Sequence, residues 1–114
     1  MRDDVRAVID GGHLAHFTTV NRDGSPHTTV VWVGTDGDEI VIGKLFPDKK
    51  VRNLARDPRC SVSVEADGDS NGLRHYLVVE GTARVVPGGA PAWLAELAKR
   101  YIGPDAVFPR MPDP

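Results

Sequence analysis

Over several short segments, hydrophobic residues alternate with polar ones, which is the pattern of half-buried β-strands. Segments rich in threonine and valine cover residues 13–20 and 26–33, and the Asn-Arg-Asp-Gly sequence at 21–24 between them is typical of a tight turn. A third strand is predicted at 39–44, after the turn-forming residues 34–38. The first half of the chain is therefore predicted to form mainly antiparallel β-structure.

The same alternation returns in the second half of the chain. Residues 60–66 predict a half-buried strand with the thiol of Cys60 on its apolar face. A polar loop at 68–72 separates it from a long predicted strand at 74–86. Gly81 interrupts that strand and predicts a β-bulge or a bend that curves the sheet.

Short helices are predicted on either side of these strands. Val5, Val8 and Ile9 share one helix face, and Gly11-Gly12 supplies the left-handed end. Near the other terminus an apolar helix face precedes the helix-ending pair Gly103-Pro104. The tail at 105–114 is rich in proline and is expected to be extended or disordered, which leaves residues 1–104 as one domain. The apolar face of the second helix comprises Trp93, Leu94, Leu97, Ala98 and Tyr101.

One further helix is predicted in the middle of the chain, where the positive charge is concentrated. Residues 44–59 hold six cationic side chains and two aspartates, a local net charge of +4 in a chain of net charge −2. Val51, Leu54 and Ala55 form one apolar stripe, and Pro58 requires the helix to end by Arg56.

The start of this basic helix is a candidate anion site. A first turn near Asp48 would present free backbone N–H groups and the positive end of the helix dipole beside Lys49 and Lys50. A phosphate is therefore one predicted ligand. The alternative is a solvated basic face with no ligand, which is the usual fate of a run of charges.

Composition narrows the class of protein. A chain of 114 residues with 40% hydrophobic residues and a pI near 6.0 predicts one ordinary globular domain without overall attraction to nucleic acid. No apolar run has the length of a signal peptide or a membrane span, so we expect a cytoplasmic protein. The single Cys60 excludes an intrachain disulfide, which agrees with a reducing compartment.

The sequence offers few candidates for catalysis by side chains. His13 and His16 are three residues apart, which places them on opposite faces of a strand, so no metal site is predicted there. His27 and His75 lack suitably spaced cysteine or carboxylate partners, and no nucleophile motif is present. If the protein is an enzyme, a bound cofactor is expected to carry the reaction.

Four segments of this sequence resemble a known superfamily. In order they are L-A-H-F-T-T-V-N-R-D-G-S-P-H-T-T-V-V-W-V, I-V-I-G-K, K-K-V-R-N-L-A-R-D-P-R-C-S-V-S-V and V-V-E-G-T-A-R-V-V. This ordered set resembles the pyridoxamine-phosphate-oxidase-like split β-barrel superfamily. Within it, the set is most similar to the flavin/deazaflavin oxidoreductases that use coenzyme F420.

The resemblance implies a mainly β fold with short helices, an antiparallel split β-barrel (the FMN-binding split barrel) that forms a homodimer with cofactor sites at the subunit interface. Relatives usually continue into a last strand that completes the barrel, so closure by a chain that stops at Pro114 is an open question. The resemblance also assigns cofactor-binding roles. The ring system is expected along the second strand and the phosphate near the basic helix, at Thr29, Val30, Val31, Trp32, Gly43, Lys44, Lys49, Lys50 and Asn53.

The implied function is hydride transfer between coenzyme F420 and an electron-poor small molecule such as an enone, quinone or tetrapyrrole. FMN is the alternative cofactor, since both molecules carry a phosphate near the same position. A non-catalytic flavin-binding or deazaflavin-binding protein is the other alternative, because no residue of the sequence is identifiable as a catalytic acid, base or nucleophile.

Overall fold

The computed structural model describes residues 1–44, 48–70 and 72–106, with the side chains of all but residues 69, 70 and 74. The predicted tail at 105–114 therefore lies almost entirely outside the described residues. None of the helices in the described ranges is long and apolar enough to cross a membrane. In chain order the elements are α1 (Asp3–Ile9), β1 (Ala15–Val20), β2 (Pro26–Val31), β3 (Gly34–Asp36), β4 (Glu39–Val41), α2 (Lys49–Arg56), β5 (Arg59–Ser70), β6 (Leu73–Thr82) and α3 (Ala90–Tyr101).

The strands form two antiparallel sheets. The larger has the order β2-β1-β5-β6, and the smaller is the hairpin of β3 and β4. The prediction of a mainly β fold with short helices is confirmed. Within the described ranges the strands do not close into a barrel, and β2 and β6 are the two edges of the larger sheet.

The hairpin of β5 and β6 differs from the predicted strand, loop and bulge. Strand β5 continues into the predicted loop as far as Ser70, which pairs with Leu73, and β6 runs from Leu73 to Thr82. Gly81 pairs in regular register with Cys60, so the predicted bulge at Gly81 is wrong. The irregularity lies between Glu65 and Asp69, where β5 carries more residues than the facing part of β6. The positive φ of 91° at Gly68 accommodates this bulge at no steric cost.

Part of the segment predicted as a turn at 34–38 is the strand β3. Gly34 pairs with Val41, and a Cβ atom at Gly34 would lie 2.9 Å from the Leu97 side chain. A larger residue there would require side chains of α3 to shift, so the glycine that signalled a turn in the sequence instead allows close packing. The predicted strands at 26–33 and 39–44 end earlier, at Val31 and Val41.

The main core lies on one face of the larger sheet. Phe17 of β1 stands opposite Val62 of β5, and Ala15 stands opposite Val64, with Ile9 of α1 fully buried against them. Cys60 packs against this core on the predicted face. Burial raises the pKa of its thiol.

Helix α3 covers the β3 and β4 hairpin with the predicted apolar face, of which Leu94, Leu97 and Ala98 are buried. The Tyr101 hydroxyl donates to the His13 carbonyl at 2.7 Å and accepts from the Val33 amide at 3.0 Å. Its ring stacks on Trp32, with centroids 5.1 Å apart. These contacts join the end of α3 to both ends of the β1 and β2 hairpin region.

Candidate functional site

Helix α2 begins and ends where the sequence predicts. The side chain of Asp48 caps it by accepting hydrogen bonds from the amides of Lys50 at 3.0 Å and Val51 at 3.3 Å. At the other end Asp57 is extended before Pro58, which stops the helix after Arg56.

The start of α2 already contains an anion supplied by the chain itself. The Asp48 carboxylate lies 2.8 Å from the Lys50 ammonium and 3.0 Å from the Lys44 ammonium. Burial opposes ionisation of this carboxyl, but the hydrogen bonds from Lys50 and Lys44 lower its pKa to about 2. The backbone amides of Lys50 and Val51 are therefore not free, contrary to the prediction for this helix start.

The buried face of α2 also differs from the predicted stripe. Lys50 is 7% exposed and Asn53 is 3% exposed, whereas Ala55 is exposed. These polar side chains can be buried because each has partners: Asp48 for Lys50, and a hydrogen-bond network for Asn53.

Asn53 fixes α2 on the end of β1. Its amide nitrogen donates to the Thr19 hydroxyl at 3.0 Å and to the Asn21 carbonyl oxygen of the side chain at 3.1 Å. Its own oxygen accepts from the Arg56 guanidinium at 3.2 Å, and Arg56 also donates to the Val20 carbonyl. The side chain of Asn53, a predicted cofactor residue, therefore makes its hydrogen bonds within the protein, where they hold α2 against the turn between β1 and β2.

A basic depression opens between α2 and that turn. Its volume is about 410 Å³, and a neighbouring depression of about 400 Å³ shares Arg22 and Lys49 with it. Within the described part of the chain, the side chains of Arg22, Lys49 and Arg52 make no hydrogen bond or ion pair, although Lys49 is near enough to Asp23 to help lower the pKa of that carboxyl, after the larger effect of Ser25. We call this surface the basic depression; it is lined by Arg22, Lys49, Arg52, Asn53, Ala55 and Arg56.

Arg22 is the residue of this surface that the sequence analysis missed. It belongs to the turn at 21–24, whereas the other cations belong to α2, and only tertiary packing brings the two together. A signal was present in the Asn21 and Asn53 side chains, but their pairing cannot be read from separate segments.

The second predicted group of cofactor residues lies on β2. Thr29 and Val31 face the core side of the sheet opposite Phe17 and Ala15, while Val30 points outward and is 56% exposed. The Thr29 hydroxyl oxygen is buried and has no hydrogen-bond partner among the described residues. Because β2 is an edge strand, one side of its backbone also lacks a strand partner in the described sheet. Both features suit a ligand that accepts or donates hydrogen bonds along β2.

The remaining predicted residues contact other parts of the protein. Trp32 stacks on Tyr101 of α3. A Cβ atom at Gly43 would lie 2.8 Å from Leu94, so this glycine permits the close approach of α3. Among the described residues, two groups therefore have unmet interactions, namely the buried Thr29 hydroxyl on β2 and the cations of the basic depression.

These two groups lie along one line of the fold. Asn53 of the basic depression bonds Thr19, which pairs across the sheet with His27. Thr29 is two residues farther along β2, about 7 Å away at the usual rise of a strand. The arrangement suits an elongated ligand with a polar ring near Thr29 and an anionic arm toward α2. In the described residues, no group of three or more histidine, cysteine, aspartate or glutamate side chains is placed to hold a metal ion.

Comparison with known proteins supports a relation over the whole domain. Residues 1–113 match the family model described as pyridoxamine 5'-phosphate oxidase. Among solved structures, an F420 reductase is 25% identical, superposes with a TM-score of 0.77, and shares an alignment covering 96% of this chain and 86% of that one.

Two further structures are informative. A conserved hypothetical protein from Mycobacterium tuberculosis is 29% identical with a TM-score of 0.72, and the match covers 93% of this chain and 68% of that one. A heme-binding protein from Mycobacterium smegmatis is 24% identical with a TM-score of 0.66, over 88% of this chain and 45% of that one. The last likeness shows a shared fold only.

Proposed function

The chain belongs to the pyridoxamine 5'-phosphate oxidase family, and on that basis we propose that it is an oxidoreductase that uses coenzyme F420. The observation that carries the choice of cofactor is the likeness to an F420 reductase over 96% of this chain. Bound F420 supplies a hydride to an electron-poor small molecule, or removes one from the reduced product.

The chain's own residues support binding and orientation. The Thr29 hydroxyl has no partner among the described residues, and one edge of β2 has no strand beside it there, so both could offer hydrogen bonds to the polar rim of a planar ring. A hydrogen bond to a ligand would satisfy a buried oxygen that otherwise loses its bond to water on folding. Tyr101 of α3 covers one face of the Trp32 ring by stacking on it.

Electrostatics favour a ligand with negative charge at one end. The cations of α2 and Arg22 gather beside the turn of β1 and β2, although the chain has a net charge of −2. The positive charge is thus local, which favours a small anionic group over a long polyanion such as nucleic acid. Hydride transfer itself requires no acidic or basic side chain, so the lack of a recognisable catalytic motif in the sequence does not argue against this reaction.

An absorbance titration tests the cofactor. We expect the spectrum of F420 to change on addition of the protein, with saturation at one equivalent per chain, and a weaker change with FMN. Saturable binding of FMN with no effect on F420 would assign the alternative flavin cofactor.

A turnover assay tests the chemistry. Reduced F420 is mixed with the protein and a quinone or an enone, and its reoxidation is followed by absorbance. Acceleration over the protein-free reaction supports an enzyme, whereas tight binding without acceleration toward any acceptor of these classes supports a non-catalytic F420-binding protein.

We also propose that the protein is a homodimer, as the resemblance to the split-barrel superfamily implies. On the outer face of the larger sheet, one row of residues runs across the four strands in the order Val30, His16, Ser63, Val78. Val30 is 56% exposed and Val78 is 48% exposed. Tyr76, 71% exposed, lies on the same face. A second copy packed on this face would cover the exposed apolar side chains of Val30, Val78 and Tyr76.

Light scattering tests the homodimer and should give twice the chain mass. Val78→Glu should shift the protein to the monomer. A monomeric parent protein at micromolar concentration contradicts the proposal.

A further inference from the structure

We propose that His16 controls the assembly of the homodimer: a second copy of this chain packs on the outer face of the larger sheet while the imidazole is neutral and separates when it is protonated. The inference rests on the homodimer proposed above, since it names the side chain that decides whether the two copies associate. It gives a role to a histidine for which the sequence predicts no metal site.

The first step is the position of His16 in the sheet. Strand β1 lies between β2 and β5, and His16 pairs with Val30 on one side and with Ser63 on the other. Its neighbours along β1 face the core and are buried, whereas its own side chain is exposed on the outer face. Val78 of β6 ends the same row. A second copy that covers both valines must therefore also cover the imidazole between them.

The second step is that the chemistry of this face suits contact with an identical face. A two-fold contact uses the same surface patch on both copies, so a patch with many charges of one sign repels its copy. Apart from its valines, the middle of the outer face carries hydroxyl groups, and those of Thr18 and Thr28 lie 2.8 Å apart. A hydroxyl both donates and accepts hydrogen bonds, so it can pair with its own counterpart. A neutral imidazole has the same property, because one ring nitrogen donates and the other accepts.

The third step is that protonation removes this match. A protonated imidazole has two donors and no acceptor, and it carries a positive charge. A two-fold contact would then bring two like charges into one interface and bury each of them beside valine side chains, which costs free energy. Histidine is the side chain whose charge ordinarily changes between pH 8 and pH 5. Association should therefore weaken as the pH falls through this range.

The other titratable groups on this face do not reverse the sign. The outward positions of β2, at 26, 28 and 30, carry none. No carboxylate stands directly opposite His16, and an ion pair between its imidazolium and Glu65 would lose water in the interface, which offsets much of the attraction. On β5 from 59 to 65 and on β6 from 76 to 82, the outward titratable groups are Glu65, Tyr76, Glu80 and Arg59, of which Arg59 pairs with Asp57.

Sedimentation and light scattering from pH 7.5 to pH 5.5 test the inference. The Kd of the parent dimer should rise at least about ten-fold over this range, because two imidazoles per dimer must stay neutral and each can contribute up to about ten-fold per pH unit. His16→Gln keeps one donor and one acceptor without a titratable charge, so its dimer Kd should change less than about two-fold. His27→Gln is the matched control: His27 pairs with the buried Thr19, lies on the other face of the sheet, and should leave the pH dependence of the parent intact.

Several results overturn the inference. They are a parent dimer of equal or higher affinity at pH 5.5, a pH dependence that persists in His16→Gln, and a pH dependence that His27→Gln removes. A folded His16→Gln protein that is monomeric at pH 7.5 also counts against it, since the amide retains the hydrogen bonds of the neutral imidazole. Circular dichroism at each pH separates dissociation from unfolding, and dissociation only where the chain unfolds rejects the role of His16. A parent protein that is monomeric at pH 7.5 contradicts the proposed homodimer instead.

Discussion

The carboxylate of Asp48 makes opposite contributions to stability and to anion binding, and Asp48→Ser separates them. Serine retains a good helix cap but removes the charge that pairs with Lys50 and Lys44. The lowering of the Asp48 pKa from 3.8 to about 2 corresponds to at most about 2.5 kcal/mol. Screening by solvent at this partly exposed group reduces the value, so we expect a loss of about 1.5 kcal/mol at neutral pH. For a domain of this size that is roughly a 6 °C fall in Tm.

Anion binding should change in the other direction. Removing one negative charge from the start of α2 reduces its repulsion of an anion bound in the basic depression, and a solvent-screened interaction of this kind is worth about 0.5 kcal/mol. The variant should therefore bind tripolyphosphate, a small chain of anionic groups, about two-fold more tightly while being less stable. Calorimetric titration measures the affinity, and thermal unfolding followed by circular dichroism measures the stability.

The pH dependence supplies an independent check on the same residue. Because the folded pKa lies below the unfolded value, the contribution of Asp48 is complete above about pH 4 and is lost as the pH falls toward 2. The stability difference between parent and variant should shrink over this range. Asp4→Ser is the control for affinity, since Asp4 contacts Arg2 and the Val5 amide and does not line the basic depression. A fall in both stability and affinity in Asp48→Ser would refute the view that Asp48 competes with the ligand.

Three further predictions concern single side chains. Thr29→Val removes a buried hydroxyl without a partner in the described residues, so the free energy of unfolding should be unchanged or rise by up to about 1 kcal/mol. The affinity for F420 should fall roughly two- to ten-fold. A spectral titration that shows unchanged affinity contradicts the role of Thr29. Tyr101→Phe keeps the stack on Trp32 but loses two hydrogen bonds, and urea unfolding should show a loss of about 1–3 kcal/mol; a loss below about 0.5 kcal/mol is evidence against their contribution. Cys60 should react with a thiol reagent at least about ten-fold more slowly in the native than in the unfolded protein, because burial raises its pKa and covers the sulfur, and equal rates speak against a core position.

The sequence predicts the local elements well because their signals are local. The bounds of α2 follow from Asp48 as a cap and Pro58 as a stop, and the apolar face of α3 follows from its spacing. The structure differs from the prediction where a residue responds to a distant neighbour. Gly34 resembles a turn residue in the sequence and Gly43 lies in a predicted strand, but α3 packs against both.

The candidate site follows the same rule. The cations of α2 are visible as a cluster in the sequence, but which of them are free is decided by partners in space. Asp48 forms ion pairs with Lys50 and Lys44, and Asn53 joins α2 to the turn that carries Arg22. Periodicity alone predicts that Lys50 lies on an exposed face, and it does not reveal that an ion pair allows burial.

The hydrogen bond from Tyr101 to His13 joins residues 88 positions apart, and the ion pair of Arg100 with Asp10 joins residues 90 positions apart. Contacts of such high sequence separation form late, since a long loop must close before they stabilise anything. During synthesis on the ribosome, both sheets emerge before α3. The surfaces that α3 covers, on β3, β4 and the Trp32 indole, are therefore exposed until α3 has been made. The nascent domain therefore exposes this apolar surface until α3 is synthesised, and exposed apolar surface of this kind makes folding intermediates prone to aggregation.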